Sequence, residues 1–174
     1  MSSNLIVAII TSGTVSAIIS FYLTARQKEK QLRQEKLEEL FICISQWIKS
    51  FGIFSLNYRG AMQGKLSLKE VYELMSKIAG SNEKDNLEKI EMIIGIYFPN
   101  LQSNYDELMS CRAYTNKVIT KFESKAEISG IAEGEFVKEL DAELQKLDKV
   151  ELDFKAAIFR EANTLLKPWW KVWH

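Results

Sequence analysis

The sequence predicts an all-α protein, an N-terminal transmembrane helix that continues into an up-down helical bundle. Three observations predict it. The first 25 residues contain no Asp, Glu, Lys, Arg or His, although the chain of 174 residues carries 23 basic and 23 acidic side chains. Proline is confined to Pro99 and Pro168. Apolar residues recur at helical spacing after residue 36, and no stretch alternates apolar and polar over six or more positions between turn signals.

The first element is the run Leu5–Leu23, LIVAIITSGTVSAIISFYL. At about 1.5 Å per residue it spans roughly 29 Å, close to the hydrocarbon thickness of a bilayer. Ten of its 19 residues are Leu, Ile, Val or Phe, which favour insertion. Six are Ser, Thr or Gly, which weaken that tendency without reversing it. A core helix of a soluble protein usually carries charge along one edge, and this one has none. A cleaved signal peptide needs a basic start and small residues before the cut. Met1-Ser2-Ser3-Asn4 has no basic side chain, and Leu23-Thr24-Ala25 places a leucine where a small residue belongs. A retained single-pass helix fits best.

Within this run Ala8, Ser12, Ser16 and Ser20 recur every four residues, with Gly13 and Ala17 beside them. Such a stripe lets two helices approach closely, and serine hydroxyls bridge the gap. Association with a second copy or with another membrane protein is therefore expected at this face.

The neck follows. Arg26, Lys28, Lys30, Arg33 and Lys36 lie just after the run, and no Lys or Arg precedes it. Basic residues are retained on the cytoplasmic side, so the short N-terminus is placed outside the inner membrane and the body in the cytoplasm. The same five residues suit anionic lipid. Cys43 and Cys111 are far apart and form no C-x-x-C pair, which suits two packed, reduced thiols.

The body divides into helices. Leu37, Phe41, Ile44, Ile48, Phe51, Tyr58 and Met62 follow a 4–3 repeat with Ser55 the polar member, so one helix is expected from about residue 5 to 63, stopped by Gly64. Ser67 and Glu70 fit a capping box that starts a second helix carrying Leu68, Val71, Tyr72, Met75 and Ile78. A third starts near residues 82–85, carries Leu87, Ile90, Ile94 and Tyr97, and is broken by Pro99. The fourth spans about 101–126, with Leu101, Tyr105, Leu108, Val118 and Phe122 inward. A loop is expected over 128–134. The last helix spans about 135–167, with Leu140, Leu144, Leu147, Val150, Phe154, Ile158 and Leu165 inward. The expected organisation is thus 1–25 N-terminus and transmembrane helix, 26–36 charged neck, 37–167 cytoplasmic bundle, and 168–174 tail.

The tail is Pro168-Trp169-Trp170-Lys171-Val172-Trp173-His174, with three of the four tryptophans of the chain. Indoles are seldom left in water. Trp169, Trp170, Lys171 and Trp173 are read as a membrane-interface or docking segment, set against lipid headgroups, the bundle or a partner.

Charge and residue types exclude several chemistries. A balanced net charge does not suit coating nucleic acid. The one histidine, His174, is too far down the tail for a positioned general base. No Ser-His-Asp or Cys-His set, zinc cluster or Glu-x-x-His pair can be assembled, and Gly64-Lys65 lacks the rest of a phosphate loop. No enzyme activity, metal or cofactor is expected. The membrane run, the neck Arg26–Phe41 and the corner Ile96-Tyr97-Phe98-Pro99-Asn100-Leu101 together resemble a group of short bacterial single-pass membrane proteins with a cytoplasmic helical bundle. The resemblance implies the same fold and topology and no reaction. The expected role is a non-enzymatic membrane protein whose bundle mediates interaction, scaffolding or sensing with a cytoplasmic protein. The alternative is a membrane-perturbing effector, a toxin-like or phage-defence component that oligomerises through its polar span.

Overall fold

The computed structural model of the chain describes residues 2–78, 83–129 and 134–166, with side chains for 17–18, 20–76, 86–126 and 134–166. Among these residues the protein is all-helical. Helix α1 is Ser2–Met62, α2 Leu68–Ile78 and α3 Glu83–Tyr97. A 3-10 turn Pro99–Leu101 leads into α4, Gln102–Ser129, and α5 is Gly134–Leu166.

Local chemistry explains the breaks. Gly64 has φ 70°, the left-handed conformation that only glycine adopts without strain. Its N–H donates to Ala61 O at 2.9 Å, and Lys65 N–H donates to Gly60 O at 2.9 Å, which satisfies the last carbonyls of α1. At α2 the capping box is in place. Glu70 N–H donates to Ser67 Oγ at 3.2 Å, and Ser67 N–H donates to Glu70 Oε2 at 2.7 Å. The Ser67 backbone N–H, then its hydroxyl, hold the Glu70 carboxyl below the usual carboxylate range.

Phe98 leaves the α3 helix with φ −139° and ψ 57°, because the ring of the following proline disfavours helical backbone at the residue before it. Helix α4 runs three residues past the expected Ala126. The sequence has no helix breaker before Gly130, so Ile128 and Ser129 are helical where a loop was expected.

Helix α1 packs mainly on α3 and α5, α4 packs mainly on α5, and α2 rests on α1. Pairs of side chains give the directions. Arg59 meets Asp141 and Phe41 meets Phe159, so α5 runs against α1. Glu39 meets Lys89, so α3 also runs against α1. Lys121 meets Glu139 and Asn100 meets Glu161, so α4 runs against α5.

Two apolar clusters fill the interior. The first centres on Leu40, Trp47, Ile94, Phe98, Leu108 and Phe154. The second centres on Tyr58, Met62, Val71, Phe122 and Leu140. Phe54 and Leu144 touch both. The α1 seam is wider than a 4–3 repeat, because α1 meets partners on more than one side. Leu40, Cys43 and Trp47 are buried as well, while Phe41, expected inward, is half-buried. Among the described side chains of the expected α2 face, Val71 is fully buried and Leu68 and Met75 are half-buried. Tyr72 is exposed, with its hydroxyl donating to Glu123.

Candidate functional site

The candidate site is the part of α1 that stands clear of the other helices, together with the neck that joins it to them. From Ala17 to Glu29 every described side chain is exposed. Phe21 is 77% exposed, and Ile18, Tyr22 and Leu23 are also open. Consecutive large apolar side chains on an isolated helix are unfavourable in water, so this surface calls for another solvent or another helix. Thr24 donates its hydroxyl to Ser20 O at 2.8 Å, which keeps that polar group satisfied within the helix.

Of the predicted association stripe, Ala17 and Ser20 are exposed on this helix. Ala8, Ser12, Gly13 and Ser16 lie on α1 where its backbone alone is described. Among the described residues, one helix stretch is long and apolar enough to cross a membrane, within Ser20–Met62. Much of that stretch is core, since Leu40, Ile44, Trp47 and Ile48 are buried against α3 and α5. Its length and hydropathy are therefore explained by packing.

The neck divides into two parts. Arg26 and Lys28 are exposed, and Lys30 is half-exposed. Arg33 and Lys36 turn toward the bundle. Arg33 Nη2 donates to Tyr97 O at 2.9 Å, and its guanidinium lies 5.5 Å from the centroid of the Phe98 ring. One cation thereby satisfies a carbonyl at the C-terminal end of α3 and caps the proline corner. Lys36 Nζ lies 2.6 Å from Glu39 Oε2, and Lys89 Nζ of α3 lies 2.5 Å from Glu39 Oε1. The hydrogen bonds from Lys36 and then Lys89 hold the Glu39 carboxyl below its usual range, against burial. Arg33 in the neck and Glu39 just after it thus hold α1 to α3 at two successive turns. The spacing held a signal for this, since Arg33 is four residues before Leu37 on the same helix face.

At the other end of α1 are three further polar contacts that no sequence pattern foreshadows. Tyr58 donates its hydroxyl to Glu123 Oε1 at 2.6 Å, and Tyr72 donates to the same oxygen at 3.1 Å, so one carboxylate of α4 joins α1 and α2. Burial, and then the bond to Glu123, push the Tyr58 hydroxyl well above the ordinary phenol range. Arg59 grips Asp141 of α5 with two bonds, Nε–Oδ1 at 2.6 Å and Nη2–Oδ2 at 3.0 Å. The Arg59 hydrogen bond, opposed by burial, holds the Asp141 carboxyl below the usual carboxylate range.

Among the described residues, no group of three or more His, Cys, Asp or Glu side chains is placed to hold a metal. Cys43 and Cys111 are buried free thiols, and burial pushes both above the usual thiol range. Trp169, Trp170, Lys171 and Trp173 lie outside the described residues. No family model, characterised protein or solved structure matches this chain.

Proposed function

We propose that this chain is a non-enzymatic single-pass membrane protein, anchored by the start of α1, whose helices from Leu37 onward form an up-down cytoplasmic bundle that docks a protein partner. One observation carries the reading. Helix α1 passes without a break from a buried core into a segment with no charge before Arg26, where Ile18, Phe21, Tyr22 and Leu23 are exposed and covered by none of the described helices. Lipid is the solvent that suits such a surface. Arg26, Lys28 and Lys30 then stand at the cytoplasmic headgroups, and the short segment before Leu5 lies outside the inner membrane. The alternating directions of α1, α5, α4 and of α1, α3 support the bundle arrangement. Arg33 and Glu39 tie the base of the neck to α3 of the bundle.

The span associates with a second copy or another membrane helix through Ala8, Ser12, Gly13, Ser16, Ala17 and Ser20. Six Ser, Thr or Gly residues in the run also favour a second reading, a membrane-perturbing effector that opens the bilayer on oligomerising.

The test begins with fractionation. The full chain is expected to stay with membranes through an alkaline wash, and reporters fused at either end are expected to give an outside N-terminus and a cytoplasmic C-terminus. Release by the wash overturns the anchor. Leucine at Ser12 and Ser16 is expected to abolish self-association in a membrane two-hybrid assay. Overexpression separates the two readings: dye entry and growth arrest that need the span favour the effector, and harmless expression favours the docking protein.

A further inference from the structure

Between α1 and the end of α5 lies an open groove of about 460 Å³. Its walls are apolar: Leu37, Phe41 and Ile42 on one side, Phe159, Ala162 and Leu166 on the other. Its polar rim is Gln34 and Glu38, both on α1. Ile42, Phe159 and Leu166 are each more than half exposed, so the groove is uncovered by any described residue. Phe41 and Phe159 meet at 5.7 Å between ring centroids and make its aromatic floor. An uncovered trough of this size between two helices has the dimensions and lining of a binding cleft.

Leu166, in the groove wall, is also the last described residue, and the chain continues directly as Lys167-Pro168-Trp169-Trp170-Lys171-Val172-Trp173-His174. We propose that this groove is the docking site of the chain's own segment 168–173. Three features select that occupant over others. The first is reach. Along α5 the groove extends from Leu166 back to Ile158, about 12 Å of helix rise. Six residues in extended form cover roughly 20 Å. Proline does not continue a helix, so the sequence permits a reversal of direction at Pro168. The second is chemistry. Three indoles and a valine match apolar and aromatic walls, and each covered indole removes roughly 150–250 Å² from water. The third is charge. Glu38 is exposed at the rim, and Lys171 lies in the sequence between the pair Trp169-Trp170 and Trp173. Local attachment also raises the effective concentration of this segment far above that of any free competitor. The inference does not rest on the membrane reading, because the groove is built by residues 34–42 and 158–166 alone.

The test uses the full chain, in detergent and in nanodiscs that hold one copy each. A photo-crosslinking amino acid in place of Trp170 is expected to form adducts with residues 34–42 or 158–166 of the same chain. Phe159→Glu and Ile42→Glu, both at exposed positions that leave the core intact, are expected to abolish those adducts. They are also expected to raise acrylamide quenching of tryptophan fluorescence several-fold, over the constant background of buried Trp47. Leu152→Glu, equally exposed on α5 but outside the groove, is expected to change neither. Adducts to lipid, adducts linking two chains in detergent, or no adducts at all overturn the proposal. So does a quenching constant that the groove substitutions leave unchanged.

Discussion

One helix serves two surroundings. From Leu37 to Met62, α1 buries a wide apolar face, with Leu40, Ile44 and Trp47 fully enclosed. From Ala17 to Glu29 the same helix shows every described side chain to the outside, with apolar residues as large as Phe21 among them. Apolar content alone does not separate the two parts. The difference lies in partners: α3 and α5 press on the second part, and none of the described helices touches the first. What changes between them is charge. The described body surrounds its apolar stripe with ionic side chains, whereas the sequence before Arg26 has none. An apolar helix with charged flanking faces finds a protein core, and one without them suits lipid.

The largest expected effect comes from exchanging equivalent truncations between the two parts. Trp47→Ala removes a fully buried indole and is expected to cost about 3–5 kcal/mol. Phe21→Ala removes an aromatic ring of the exposed part and is expected to change stability by no more than about 0.5 kcal/mol. Urea unfolding of the full chain in mild detergent measures both. A loss of similar size at Phe21 would mean that the exposed part folds against protein, and the comparison would collapse.

Much of the fold was legible because helix periodicity and helix breakers are local properties. Gly64, the Ser67–Glu70 box and Pro99 act within four residues of themselves, and each ends or starts a helix where the sequence placed it. The width of the α1 face was not legible. Trp47 is buried because α1 is enclosed by α3, α5 and α4, and no single repeat reports how many neighbours a helix has. The same holds for the candidate site. Five basic residues after an uncharged run read as one group, yet Arg33 and Lys36 contact α3 and its neighbouring carboxylate. The partners of Arg33, Tyr97 and Phe98, are distant in sequence and are brought to it by tertiary packing, whereas Lys36 pairs with Glu39 three residues further along the same helix. The stripe Ala8–Ser20 remains a sequence argument, and its test is association in membranes.

A smaller effect sharpens the contrast at the far end of α1. Tyr58 is buried with its hydroxyl on Glu123, so the folded protein favours the neutral phenol. An unfolded tyrosine loses its proton near pH 10. Between that pH and the higher folded value, the folded state binds one more proton than the unfolded state. Stability from this group is therefore complete below about pH 10 and falls as pH rises, by about 1.4 kcal/mol per pH unit. Tyr58→Phe is expected to cost about 1 kcal/mol at pH 8 through the lost hydrogen bond. At pH 11, about one unit above the unfolded value, the wild type is expected to have lost about 1.4 kcal/mol of this contribution, so the gap closes or slightly reverses. Denaturation midpoints at the two pH values measure it. A gap that is constant with pH would mean that the Tyr58 hydroxyl is not enclosed when folded.

The smallest effect tests how much of the bundle's far end depends on charge. Arg59 and Asp141 make a two-bonded pair between α1 and α5, but each side chain is 36% exposed. Water and salt screen such a pair, so Arg59→Gln is expected to cost less than about 1 kcal/mol at pH 7. The sign of its pH dependence is fixed by Asp141, whose carboxyl is lowered by Arg59. The contribution is present above the unfolded carboxylate value of about 3.9 and is lost as pH falls through the lower folded value. The wild type and the variant are therefore expected to converge in stability below about pH 3.9, and in high salt at neutral pH. A loss of several kcal/mol that persists in acid would place the pair among structural supports of the core. The junction of α1 and α5 would then rest on a polar clamp as much as on Leu140 and Met62. With the small effect, apolar burial alone divides α1 into its enclosed and exposed parts, and the ion pairs along it set the alignment of its neighbours.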